Sequence, residues 1–157
     1  MKRFVNGGLR LIKCSSNDIL MNYYDREFDS SELITAIVNC DGFKKLHRKV
    51  FNEDINFELN SEPVFSIGTE TLKVELFEAI RFGGAYSHIT SDKDGSKYQI
   101  VEKFIKDFQP KPFTKNVYFK VFDPWSEWFS CVAWDYIYMI LNKESTEIGI
   151  VCITDTD

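Results

Sequence analysis

No two cysteines in this chain lie close enough in sequence to suggest a metal knuckle or a redox couple. Cys14, Cys40, Cys131 and Cys152 are scattered and give no CxxC, which argues against a zinc site and against a disulfide framework. Each has apolar residues within two positions, so four buried, reduced thiols are predicted. Histidine is equally scarce. His47 and His88 are the only two, and neither has another imidazole or a thiol at ligand spacing. Gly83-Gly84 fits neither GxGxxG nor GxxxxGKS/T, and there is no GxSxG, so phosphate-loop and hydrolase-elbow readings fail. Asp92-Lys93-Asp94-Gly95 opens like a calcium loop, but Val101 stands where the closing glutamate is required. A turn ahead of a helix explains the same residues. No catalytic residue, metal or cofactor is assigned.

Long apolar runs are missing too. None approaches the ~20 residues that cross a bilayer, and no leader-like apolar core follows Met1-Lys2-Arg3. A cytoplasmic protein without membrane contact is therefore expected. The formal net charge is −5, which disfavours nonspecific nucleic-acid binding. The acidity is uneven. Residues 1–60 carry nine basic and nine acidic side chains, whereas 109–157 carry four basic and seven acidic. One basic run, Phe43 to Phe51, has Phe43, Leu46, Val50 and Phe51 at helical spacing. It reads as a helix with solvated lysines, or else as a patch for phosphate or an acidic partner.

What the chain has in quantity is aromatic surface, concentrated in residues 117–141. All three tryptophans, Trp125, Trp128 and Trp134, fall there among nine aromatic residues. Such side chains dominate core and interface energetics, so the remainder is expected to pack around this stretch.

Hydrophobic patterning supplies the elements. A broken strand is predicted over 2–14. A helix from about 30 to 40 starts on an Asp29/Glu32 capping box and closes at Gly42. Helices follow over 43–51 and 69–82, and the most strongly amphipathic one runs from Tyr98 to Phe108, stopped by Pro110 and Pro112. Strands are expected at 55–59, 64–67 and 117–122. Residues 129–141 fit helical spacing and strict alternation equally well, and β-branched and aromatic enrichment favours strand. A turn over 142–146 and a strand over 147–153 complete an antiparallel three-strand meander. The expectation is one α+β domain over 1–157, with two or three amphipathic helices on one face of an antiparallel sheet.

Candidate site residues cluster in the aromatic stretch. Asp123, Trp125, Glu127 and Trp128 form a loop of two tryptophans among acids, suited to gripping a basic partner. Core packing is the competing reading for the tryptophans. Asp135 stands out as an acid in an apolar run. It is either a binding residue or a satisfied acid on the strand. In general character, a small acidic aromatic-rich domain without a catalytic signature resembles bacterial immunity proteins, which neutralise a toxin by occluding it. The resemblance implies a basic toxin as partner. Two other classes compete: a ligand-binding domain or enzyme with a pocket beside the aromatic sheet, holding Asp135 or His88, and a structural subunit of a homo-oligomer.

Overall fold

The computed structural model describes residues 8–15, 30–55, 65–82, 95–111, 113–122, 125–126, 128–129, 135–142 and 144–154. In chain order the elements are β1 (Gly8–Ser15), α1 (Ser30–Asn39), α2 (Asp41–Phe51), β2 (Phe65–Ile67), α3 (Thr69–Phe82), α4 (Ser96–Phe108), a 3-10 turn (Phe113–Lys115), β3 (Asn116–Val121), β4 (Tyr136–Asn142) and β5 (Glu147–Thr154). The five strands form one antiparallel sheet in the order β1-β5-β4-β3-β2. The fold is α+β with the C-terminal meander β3-β4-β5, as the sequence predicts.

Each of the four helices read along the chain is present, but their placement departs from the expected single covered face. There are four among the described residues, and they divide between the two faces of the sheet. Phe119, Val121, Ile137, Met139, Leu141, Ile148, Ile150 and Cys152 point to one face and pack with Leu33, Ile34, Ile37 and Val38 of α1 and Phe43 of α2. The alternate residues Tyr118, Tyr138, Ile140, Val151 and Ile153 point to the other and pack with Leu72, Leu76 and Ala79 of α3 and Val101, Ile105 and Phe108 of α4. The physical reason lies in β4 and β5, which are buried at almost every position. A strand apolar on both sides needs cover on both sides. Each fully buried Leu, Ile or Phe contributes roughly 1.5–3 kcal/mol, so neither face can be left wet.

Local chemistry sets the element boundaries. Gly42 does not close α1. The break falls at Cys40, whose extended backbone (φ −72°, ψ 144°) separates the two helices, and whose Sγ accepts from Phe43 N at 3.3 Å as the cap of α2. Gly42 then sits in the first turn of α2. Asn52 ends α2 in the left-handed conformation, φ 62°. α4 ends at Gln109, held extended at φ −67°, ψ 145° because the following Pro110 disfavours the helical region. The β4–β5 turn is organised by Asn142, whose side-chain oxygen accepts from Glu144 N at 2.9 Å and Ser145 N at 2.7 Å. In β5, Gly149 lets Phe108 approach closely: a Cβ there would lie 3.1 Å from Phe108 Cε1, so the ring would have to shift by a few tenths of an ångström.

Of the predicted strand at 55–59, only Ile55 is described, and it is not in a strand. The Asp29 cap, Gly83-Gly84, His88, Cys131 and Trp134 lie outside the described residues. Cys14 and Cys40 are half-buried rather than fully buried, and Cys152 is enclosed. Burial pushes the Cys14 thiol up to about 12 and raises Cys152 as well, so both stay protonated and poorly nucleophilic at neutral pH.

Two polar systems cross the α3/α4 face. Glu75 of α3 accepts from Lys120 Nζ and from the Tyr138 hydroxyl, both at 2.7 Å on the same carboxylate oxygen. Gln109 Oε1 accepts from the Tyr118 hydroxyl at 2.9 Å.

Candidate functional site

Between β3 and β4, Trp125 packs on Phe43 in the first turn of α2 and Trp128 on Phe51 at its end. Trp125 is fully buried. Its indole meets Phe43 edge-on, with centroids 5.8 Å apart and planes at 85°, and meets Phe129 at 6.4 Å and 86°. Edge-to-face pairs of this kind are favourable beyond their area burial. Trp128 is half-buried. It lies edge-on to Phe51 at 5.2 Å and to Phe129 at 5.1 Å, and the Arg10 guanidinium of β1 sits 5.3 Å from its ring centroid.

Glu53, just past α2, ties this segment down. Its carboxylate accepts from the Ser126 hydroxyl and from Trp128 N, the latter at 3.2 Å. Next to it, Asp54 pairs with Arg48 of α2. Asp135 accepts from the Thr154 hydroxyl. Tyr136 stands opposite Ile153, and Thr154 opposite Gly8. Asp135 therefore marks the end of the sheet where β1 begins, the end that also carries Arg10.

The predicted loop thus separates into two roles. Trp125 belongs to the core, because α2 offers its indole an aromatic socket. Trp128 stays partly exposed, held by Phe51, Phe129 and Arg10. Asp123 and Glu127 lie outside the described residues. Asp135 is at the same end of the sheet, engaged with β5. Arg10, Phe51 and Glu53 were not legible as site residues. Each joins the tryptophan segment from far away in sequence, and none sits in a motif.

His47 lies beneath this surface. It is fully buried, stacks on Phe51 at 4.5 Å and 19°, and its Nδ1 is 3.2 Å from the Glu53 carbonyl oxygen. Its Nε2 has no hydrogen-bond partner among the described residues. Burial lowers its pKa, against weaker opposing effects of the Glu53 carbonyl and of the Glu53 and Asp54 charges. Above pH 6.5 the ring is neutral in both folded and unfolded chains. As pH falls below that, the unfolded chain takes up a proton that the folded chain refuses, so stability is lost. Denaturant midpoints measured from pH 8 down to pH 5 should show a decline beginning near 6.5 in the native chain and a flatter profile in His47→Phe. Parallel profiles would show that His47 does not carry the effect.

Two concavities are lined by described residues. One, of about 490 Å³, runs along the outer face of α2 beside Asp41, Lys44, Lys45, Arg48 and Lys49. All five side chains are exposed, as expected of a solvated basic face. The other, of about 590 Å³, lies between α3, α4 and the start of β3. Asp135 lines neither. Among the described residues no helix is long and apolar enough to cross a membrane, and no three His, Cys, Asp or Glu side chains gather as a metal site.

The chain matches no family model, no curated protein and no solved structure. The functional reading therefore stands on the residues themselves.

Proposed function

We propose that this chain is a protein-binding module that grips a basic protein partner through a surface centred on Trp128, in the manner of an immunity protein occluding a toxin. The observation that supports the reading most is the mounting of Trp128. Its backbone N–H is held by Glu53, its ring packs with Phe51 and Phe129, Arg10 lies over the ring, and the side chain stays partly exposed. Tryptophan and arginine are the residues most enriched in binding hot spots, and a pre-held side chain loses little entropy on binding. Acidic side chains adjoin the surface. Asp54 follows Glu53, the residue that holds Trp128 N, and Asp123 and Glu127 precede Trp128 in sequence. With a net charge of −5, they would steer a cationic partner toward it.

The test is affinity against a partner recovered by pull-down from source-cell extract. Trp128→Ala is expected to weaken binding by at least about 2 kcal/mol, roughly thirtyfold, with circular dichroism unchanged. Asp123→Asn with Glu127→Gln should slow association and flatten its salt dependence. Unchanged affinity in Trp128→Ala would sink the reading.

A further inference from the structure

We infer that His47 is a proton-operated catch beneath the Trp128 surface: a proton taken up at its Nε2 expels the ring from its seat and loosens Trp128. The catch regulates the partner-binding surface proposed above and rests on that reading for its consequence, weaker binding in acid. Its mechanics stand on the fold alone.

The seat of His47 suits only a neutral ring. The side chain is fully buried, and Nδ1 lies 3.2 Å from the Glu53 carbonyl oxygen. A carbonyl can only accept, so Nδ1 carries the proton of the neutral ring and Nε2 holds the lone pair. Nε2 is itself buried and has no hydrogen-bond partner among the described residues. Phe51 stacks on the ring at 4.5 Å and 19°, and Phe43 is tilted to it at 6.1 Å and 45°. A second proton must enter at Nε2, which makes a buried cation whose new N–H finds no acceptor among these groups. Such a cation is far better accommodated in water, so the ring moves out.

Its departure undoes two supports of Trp128 together. Phe51, on which the imidazole stacks, meets Trp128 edge-on at 5.2 Å. Glu53, whose carbonyl holds Nδ1, holds Trp128 N at 3.2 Å and the Ser126 hydroxyl through its carboxylate. Between Phe51 and Glu53 the chain turns at Asn52, left-handed at φ 62°, a conformation uncommon for residues other than glycine. The Arg48–Asp54 pair beyond it is largely exposed and holds the turn only weakly. Trp125 keeps its seat between Phe43 and Phe129, so the opening is local.

The charges acting on His47 are those of Glu53 and Asp54, which favour the cation less than burial disfavours it. Arg48 offsets Asp54. The other charged residues of α2, Asp41, Lys44, Lys45 and Lys49, are exposed. Of the elements packed on α2, α1 has one charged residue, the exposed Glu32. β1 has two, Arg10 over Trp128 and Lys13 over Phe108. The thiols of this core are Cys14, Cys40 and Cys152. Once released, the ring regains its ordinary pKa of 6.5. Opening is therefore insensitive to pH well above that value, and below it grows about tenfold per pH unit until the seated ring itself titrates.

Hydrogen exchange of the Trp128 amide reads the catch in the full-length chain without any partner. Corrected for the intrinsic exchange rate, its protection should fall about tenfold from pH 7.5 to pH 5.5. Dilute urea should leave that protection unchanged, the mark of a local opening. In His47→Phe the protection should stay within about twofold across the same range. Should that variant fail to fold, His47→Asn takes its place, since its amide can still donate to the Glu53 carbonyl but does not titrate. The catch is overturned if protection in the native chain is flat with pH, if the fall is as large in the variant, or if it follows global unfolding in urea. None of these results touches the partner-binding reading. Conversely, an amide that opens in acid while Trp128→Ala binds the partner normally leaves the catch standing and removes that reading.

Discussion

Trp125→Ala is expected to destabilise the fold by about 3–5 kcal/mol, the usual cost of emptying a core aromatic site. For a chain of this length each kcal/mol moves Tm by about 2–4 °C, so the fall should be roughly 6–20 °C. The size follows from the surroundings. Trp125 is fully buried, and two of its neighbours, Phe43 and Phe129, meet it edge-on at 85° and 86°. Phe43 belongs to α2 and Phe129 to the same connection, so the indole fastens the β3–β4 connection to the helix beneath it. Alanine leaves a cavity that rings held by other contacts cannot close. Phe129 also touches Trp128, so loosening should spread toward the proposed binding surface. Trp128→Ala should cost under about 2 kcal/mol, because half-exposed side chains lose less transfer free energy. Urea unfolding of both variants, with unchanged m values, checks the pair. A Trp128→Ala cost above that of Trp125→Ala would reverse the assignment of core and surface.

The contrast between these two tryptophans shows where sequence reasoning stops. Their spacing and acidic flanks suggest a loop and leave open which indole it presents. That depends on Phe43, Phe51 and Glu53, each more than 70 positions away in sequence, for which there is no local signal. The elements themselves were more legible. Val101, Ile105 and Phe108 recur at helical spacing, and all are buried in α4. Val74, off the main stripe of α3, is 53% exposed, so that helix buries one stripe only. The ambiguity at 129–141 has a structural cause. From Ile137 to Asn142 every residue of β4 is buried, and a strand apolar on both sides satisfies helical spacing as readily as alternation. The same continuous burial implies helices on both faces, an implication that an expectation of one covered face overlooks. Boundaries set by single backbone conformations, such as the extended Cys40 between α1 and α2, compete with a glycine two residues on that looks like a better stop.

The second large effect is expected at Glu75. Its carboxylate is the common acceptor for Lys120 and Tyr138, partners 45 and 63 residues away. The Lys120 and Glu75 side chains are only 19% and 27% exposed. Lys120 Nζ also stands 5.1 Å from the Phe122 ring centroid and 5.6 Å from that of Tyr136. These aromatic faces stabilise an ammonium but do not replace its counter-ion. Glu75→Ala leaves a mostly enclosed cation unpaired and deprives the phenol of its acceptor. Losing one partner of a buried pair costs about 3–5 kcal/mol. The remaining solvent access of this pair brings the expectation down to about 2–3 kcal/mol. Lys120→Met should cost less, because Glu75 keeps the Tyr138 hydroxyl and can turn toward water. In the double variant Glu75→Ala/Lys120→Met the buried charge is gone altogether, and much of the loss should return, with a coupling of about 1–3 kcal/mol across the cycle. Tyr138 supplies an independent readout. Burial, reinforced by the hydrogen bond and charge of Glu75, holds its pKa far above the ordinary phenol value. Alkaline titration followed by phenolate absorbance should therefore show this ring ionising only as the fold is lost. Additive single losses would mean that Glu75 and Lys120 act separately, and that the aromatic surroundings of Lys120, not the carboxylate, hold the ammonium in place.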